Sequence, residues 1–259
     1  MKKTITTITV LLTIIISFSC IQDTTQEKWS DVFEKYNMTG TFVLKKLATP
    51  ELKIHNKSRS EKQYVPASTF KILNSMIAIQ TSAIGSVNDT IKWDGTDKGW
   101  KKWNSDQTMR TAMPISCVWF YQELAKRIGE KQMQTWIDKT AYGNMKISNE
   151  IDQFWLEGKL EISAKQQVEF LEKLVENQLP FDKPIQDTVK EIMITDSTDC
   201  YTIHSKTGWA KQIGWNVGYI EASGDTWIFA MNMDMKHMKE AKYRKLITYD
   251  ILREEGIIK

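Results

Sequence analysis

The sequence predicts an α+β fold, in which one antiparallel sheet is flanked by N- and C-terminal helices and an all-helical lobe is inserted between its strands. Three observations carry this. Strand-like runs lie towards both ends of the chain, from Gly40 to His55 and from Cys200 to Met235. The stretch between them is dominated by helical periodicity. An amphipathic segment stands outside each strand region. At 259 residues, 41% hydrophobic and 26% charged, the chain is long enough for a full core. It contains no repeat that would mark an array. We read residues 20–259 as a single two-lobed domain and residues 1–19 as a signal peptide.

The leader reading rests on Met1-Lys2-Lys3 followed by an uncharged Thr4–Ser19 run rich in Ile, Leu and Val, too short for a membrane span. Ser17 and Ser19 are the small residues that a cut before Cys20 requires. Ser17-Phe18-Ser19 is a poor lipobox, so a free periplasmic protein is the first expectation and a lipoprotein held through Cys20 the second. Removing Lys2 and Lys3 lowers the formal charge from +3 to +1. The remaining basic residues are interspersed with acidic ones, which argues against a nucleic-acid partner. Membrane contact is expected only through a lipidated Cys20; oligomeric state is not legible. A Cys117–Cys200 disulfide is not expected, since Cys117 sits in an apolar context.

In chain order, Trp29, Val32, Phe33 and Tyr36 recur at helical spacing over Thr25–Tyr36. Gly40–Lys46 and Glu51–His55 read as strands joined at Thr49-Pro50. Phe70, Leu73, Met76 and Ile77 define a buried helix, entered through Pro66. A Gly- and Trp-rich loop follows, from about Ser86 to Arg110. Helical segments then occupy about 116–128, 130–141, 164–178 and 184–194. Cys200–Lys206, Gln212–Glu221 and Thr226–Met235 are strands, the last two joined by Ser223-Gly224-Asp225. Lys239–Glu255 is a final helix with Tyr243, Leu246, Ile247 and Ile251 on one face.

Chemistry is suggested first by Ser68-Thr-Phe-Lys71, the only Ser-x-x-Lys in the chain. It puts a hydroxyl in the first turn of a helix and an amine one turn on, on the same face. Free N–H groups and the positive end of the helix dipole there favour a developing negative charge. The plain alternative is a serine cap. Ser116-Cys117-Val118 after Pro114, Tyr142-Gly143-Asn144 at a helix end, and Lys206-Thr207-Gly208 at a strand end each have a similarly plain reading. In the last of these, Gly208 permits close approach to the backbone, and Lys206 and Thr207 suit a carboxylate.

Taken in order, these four motifs resemble the penicillin-recognising serine enzymes, and most closely the class D, oxacillinase-type serine β-lactamases. Phe154-Trp155-Leu156, Gln212-Ile-Gly-Trp-Asn-Val-Gly218 and Arg244 extend the resemblance over about Trp29 to Ile257. It implies the β-lactamase/transpeptidase fold and hydrolysis of penicillin-type β-lactams, giving antibiotic resistance. It implies Ser68 as nucleophile and Lys71 as an N6-carboxylysine, the base for acylation and deacylation. The pocket for that carbamate would be lined by Phe70, Val118, Trp155 and Leu156, whose apolar character would push the amine towards its neutral form. Ser116 would return a proton to the lactam nitrogen. Lys206, Thr207, Gly208, Trp209 and Arg244 would hold substrate, with the N–H groups of Ser68 and Trp209 as oxyanion hole. Tyr142-Gly143-Asn144 reads as architectural.

No metal or other cofactor is expected, since no zinc-type spacing exists. The three histidines, His55, His204 and His237, read as ordinary surface residues. The chain departs from the family at Cys117, where alanine is more usual; the thiol would be reactive if exposed. Three other readings stay open. A β-lactam sensor acylates without turnover, a D-alanyl-D-alanine peptidase applies the same chemistry to wall peptides, and a binding protein would not need Ser68.

Overall fold

The computed structural model describes residues 24–147 and 150–259. The leader and Cys20 lie outside the described residues. Helix α1 (Thr24–Lys35) leads into strands β1 (Gly40–Lys46) and β2 (Leu52–His55) and a short α2 (Lys57–Glu61). A 3-10 turn, Ala67–Phe70, runs directly into α3 (Lys71–Gln80). The helical lobe continues with α4 (Met109–Ala112), α5 (Val118–Ile128), α6 (Glu130–Thr140), α7 (Ala164–Val175) and α8 (Lys183–Ile192). The chain then returns through β3 (Ile194–Ser197), β4 (Tyr201–Ala210), β5 (Ile213–Ala222) and β6 (Asp225–Asp234), and ends in α9 (Tyr243–Glu254). The six strands form one antiparallel sheet in the order β2-β1-β6-β5-β4-β3.

Period-two alternation divides the sheet residues between two cores. Val43, Trp215, Val217, Tyr219, Ile228 and Ala230 face the helical lobe. Phe42, Leu44, Ile220, Phe229 and Met231 face the other way, against Trp29 and Phe33 of α1 and Ile247 and Ile251 of α9. Helix α3 runs through the first core and is buried from Lys71 to Ala78 on every side. That explains why its polar residues are bonded internally: Ser75 Oγ donates to the Lys71 carbonyl at 2.7 Å, and Asn74 Nδ2 to the Tyr121 carbonyl at 3.3 Å.

The structure corrects several expectations. Ile194 is not helical but opens β3, a short edge strand with little burial and hence no alternation to read. Lys206-Thr207-Gly208 is not a strand end. The ladder continues through Gly208, opposite Trp215, to Ala210 opposite Ile213. The last helix begins as a 3-10 turn, Met238–Lys242, and Leu246 is 40% exposed, its expected place on the packed face taken by Thr248 and Leu252. His55 and His204 are buried, not surface residues. His55 stacks on Phe33, and His204 stacks on Tyr219 with Nδ1 2.7 Å from the Lys190 carbonyl oxygen. Cys117 and Cys200 are free thiols, one buried and one exposed. No helix among the described residues is long and apolar enough to cross a membrane.

Candidate active site

Three chain segments meet at a cleft of about 420 Å³ where the lobes join. The first is the 3-10 turn carrying Ser68. The second is the loop entering α5, which carries Ser116. The third is the half of β4 beyond His204, which β3 does not reach, so that this strand edge faces the Ser68 turn. Gly208 makes their approach possible. A β-carbon there would lie 3.0 Å from the Pro66 carbonyl oxygen and 3.2 Å from the Ser68 amide nitrogen.

Ser68 and Lys71 meet at the floor of this cleft. Lys71 is fully buried, and its Nζ donates to Ser68 Oγ at 2.9 Å. Burial drags the Lys71 pKa from the ordinary 10.5 down to about 7, an effect the nearby Cys117 opposes only in part. The amine is therefore substantially neutral at neutral pH. Around it, Phe70 stacks on Trp155 at 5.6 Å and meets Phe154 edge-on at 5.1 Å, while the Tyr121 ring lies 5.1 Å from Nζ. Trp155 is completely buried and its Nε1 has no hydrogen-bond partner. A buried donor left unpaired costs about 1–3 kcal/mol, so this pocket fits an added acceptor. A carboxylate carried on the Lys71 amine is such an acceptor.

The turn that carries Ser68 and the loop that carries Ser116 are both strained. Ala67 has φ +51° and Ser116 φ +53°, both in the left-handed region, at a cost of about 1–3 kcal/mol each. Ser116 is consequently not the cap of α5; Cys117 takes that position, and the Ser116 hydroxyl turns into the cleft. There it accepts a hydrogen bond from Lys206 Nζ, which also donates to the Thr207 carbonyl at 2.8 Å. Lys206 is pushed well below the ordinary lysine range by burial and then by the like charges of Lys71, Arg244 and Lys245. Arg244, at the start of α9, donates from Nη1 to the Gly208 carbonyl at 2.7 Å and from Nε to Ala241 at 3.0 Å. Burial lowers its pKa to about 10, so it remains a cation.

All twelve residues singled out from the sequence surround this cleft or its floor. Ser68, Ser116, Val118, Leu156, Thr207, Gly208, Trp209 and Arg244 line it directly, and Phe70, Lys71, Trp155 and Lys206 stand behind them. Trp209 is fixed by its indole Nε1, which donates to the Met235 carbonyl at 2.9 Å. Cys117 is inaccessible, and burial pushes its thiol up to about 11, so it is not the reactive spot that exposure would have made it. Sequence reasoning missed Trp100, Trp103 and Met238, which also line the cleft, Trp100 and Met238 being 47% and 54% exposed. The Trp-rich loop was visible, but nothing in it said which ring would turn inward. A larger hollow of about 520 Å³, bounded by Lys92, Lys98, Lys126 and Arg127, has no serine or cysteine in its lining, and each of its cations is already paired with a carboxylate.

A model of the penicillin-binding-protein transpeptidase domain matches residues 30–253. The probable β-lactamase YbxI of Bacillus subtilis (strain 168) is 41% identical over 222 residues, which cover 85% of this chain and 82% of that protein. β-Lactamase OXA-48 of Klebsiella pneumoniae is 38% identical over 236 residues, covering 90% and 89%. The crystal structure of the class D β-lactamase YbXI from Nostoc superposes with a TM-score of 0.87 at 37% identity, over 89% of this chain and 99% of that one.

Proposed function

Because the chain belongs to the class D serine β-lactamases, which hydrolyse the β-lactam amide, we propose that Ser68 carries the acyl group and that a carboxylated Lys71 is the base for making and breaking it. The observation that supports this most is the burial of Lys71 against Ser68, 2.9 Å away, with the partnerless Trp155 indole stacked on the adjoining Phe70. A lysine at its ordinary pKa is protonated and cannot accept a proton at neutral pH; one near 7 is partly free to react with CO2. The resulting carbamate, held by Trp155 Nε1, supplies a carboxylate base within reach of Ser68 in both half-reactions. Phe70, Val118, Trp155 and Leu156 keep that pocket dry.

Ser68 Oγ attacks the lactam carbonyl and gives up its proton to the carboxylate that Lys71, 2.9 Å away, would carry. The N–H groups of Ser68 and Trp209 take the developing oxyanion. As the C–N bond breaks, the Ser116 hydroxyl donates its proton to the leaving nitrogen, and Lys206, bonded to it, steadies the oxygen left behind. Thr207 and Arg244 hold the substrate carboxylate, Arg244 aimed by the Gly208 carbonyl. The proton taken from Ser68 passes to the Ser116 oxygen, and the freed base then takes a proton from the water that attacks the ester and delivers it to Ser68 Oγ as the penicilloate leaves. Residues 1–19 act as the export signal, placing the enzyme in the periplasm and on a membrane only if Cys20 is lipidated. No metal takes part in this scheme.

Intact-protein mass measurement after penicillin is added, beside a hydrolysis assay of the same mixture, tests the reading. An adduct on Ser68 that clears as penicilloate accumulates is the expected result. A persistent adduct would replace turnover by sensing or peptidase chemistry. No adduct, or full activity in Ser68→Ala, would overturn nucleophilic catalysis altogether.

A further inference from the structure

The roles assigned above leave unexplained how the nucleophile's turn keeps its strained shape. Ala67, immediately before Ser68, sits at φ +51°, a conformation a residue with a β-carbon holds only where its surroundings enforce it. One side of the turn is tied by the Ala67 N–H, which donates to the Trp155 carbonyl at 2.9 Å. The other is tied through Thr69. Its hydroxyl donates to the Pro66 carbonyl at 2.7 Å, closing the turn across Ala67 and Ser68, and accepts a hydrogen bond from Gln167 Nε2 of α7 at 2.9 Å. The same nitrogen donates to the Tyr142 hydroxyl at 3.3 Å. Thr69, Tyr142 and Gln167 are all essentially inaccessible to solvent.

The direction of these bonds is forced. The single Thr69 proton is committed to Pro66, so only a donor can sit on the oxygen's other side, and Gln167 supplies it. Its remaining amide atom, Oε1, is buried with no partner. A wholly buried amide with one end orphaned stabilises a core less well than an apolar side chain of its size. What this one gives is a fixed direction to the Thr69 hydroxyl, and through it a fixed shape to the residues around Ser68.

We propose that Gln167 is a positioning residue for acylation: acting through Thr69, it holds the Pro66–Thr69 turn in the shape that aims the Ser68 hydroxyl at Lys71 and the Ser68 N–H at the oxyanion. The proposal rests on the Ser68 acyl-enzyme reading. It also gives the Tyr142-Gly143-Asn144 segment a share in the work, since Tyr142 fixes the same Gln167 nitrogen while packing its ring edge-on against Phe70 at 5.7 Å.

The test follows the growth of the penicillin adduct by mass in the full-length chain, beside thermal unfolding. Gln167→Leu, which removes both the donor and the orphaned acceptor, should acylate about 10- to 100-fold more slowly while its melting temperature holds or rises. Thr69→Val should be slowed similarly, Thr69→Ser should stay within about threefold of the parent, and the Gln167→Leu/Thr69→Val double variant should be no slower than the slower single. Should Gln167→Leu not fold, the contrast between Thr69→Val and Thr69→Ser carries the same decision. Parent-like acylation in Gln167→Leu would overturn the inference alone. Slowing that tracks lost melting temperature, and that Thr69→Ser shares, would make the network merely structural. No adduct on the parent would overturn the acyl-enzyme reading, and this inference with it.

Discussion

Replacing Lys71 by methionine removes an amine that folding takes out of water, while leaving a side chain of similar length in the same pocket. The drop of the Lys71 pKa from 10.5 to about 7 is worth about 5 kcal/mol at 1.36 kcal/mol per tenfold. Its sign follows from linkage. Between pH 7 and 10.5 the unfolded chain holds a proton that the folded chain has lost, so stability rises with pH across that window. The penalty is therefore full below pH 7, shrinks as pH climbs, and is gone above 10.5. The substitution leaves Ser68 Oγ without its partner, which takes back about 1 kcal/mol. The net expectation is that Lys71→Met is more stable than the parent by about 4 kcal/mol at pH 6 and by about 1 kcal/mol at pH 9. Reversible urea unfolding in CO2-free buffer measures this. With a slope of about 3 kcal/mol per molar, the midpoint should move up by roughly 1 M or slightly more at pH 6. Hydrolysis should vanish in the same variant. A pH-independent difference, or a variant less stable than the parent at pH 6, would refute the claim that Lys71 is a desolvated amine kept for chemistry against stability.

The other expectations concern the same cleft. As pH falls through about 7 in CO2-depleted buffer, Lys71 takes up a proton, the amine able to react with CO2 becomes scarce, and hydrolysis should fall and then recover when bicarbonate is added; a rate indifferent to both would count against the carbamate. Trp155→Phe keeps the stacking on Phe70 but deletes the orphaned Nε1. It should raise the bicarbonate needed for half-maximal activity by about tenfold or more without lowering the melting temperature by more than a few degrees, and an unchanged bicarbonate curve would remove the indole from the site. Gly208→Val places a branched side chain where a β-carbon alone already lies 3.0 Å from the Pro66 carbonyl oxygen and 3.3 Å from Ala67 Cβ. Strand and turn must part, and Ser68 acylation by penicillin should drop by about 100-fold in a chain that keeps its circular dichroism. Parent-like acylation would show that the close approach is not needed.

The sequence made the α+β architecture legible because its strands and long helices carry clean periodicities, and because Ser68, Lys71, Ser116 and Lys206 stand in motifs with fixed spacing. What escaped is what side-chain pattern does not encode. Ile194–Ser197 is an edge strand with almost no buried face, so no alternation marks it. The ladder runs on through Gly208, opposite Trp215, and the close Ser68 turn is what requires a residue with no side chain there, whereas glycine by itself reads as an ending. Ala67 and Ser116 adopt left-handed conformations that neither residue prefers, and only the surrounding bonds dictate them. His204 looked like a surface residue because its partners, the Lys190 carbonyl and the Tyr219 ring, come from α8 and β5. Trp100 and Met238 reach the cleft from segments far apart in the chain, a meeting that only the closed fold creates.

The charge pattern ties these pieces to the reaction. Lys206 feels Lys71, Arg244 and Lys245, and no carboxylate offsets them. Among the described residues none of these four basic side chains has a salt-bridge partner, although ion pairs are frequent elsewhere, as at Lys45–Glu172 and Lys53–Glu255. Basic groups so placed oppose folding, and the carboxylate proposed on Lys71 would relieve part of that cost. A further side-chain acid among Lys206, Arg244 and Lys245 would occupy the ground the substrate must take. Without one, these three hold a field that suits the carboxylate of a penicillin, and the tetrahedral oxyanion adds a second negative charge. The same field adds to burial in lowering the Lys206 pKa, whereas Lys71 is freed by burial. Weakening it should therefore harm substrate binding: Lys245→Glu, outside the bonded site, should raise KM while the acidic limb set by Lys71 stays in place, and an unchanged KM would refute the role of the field.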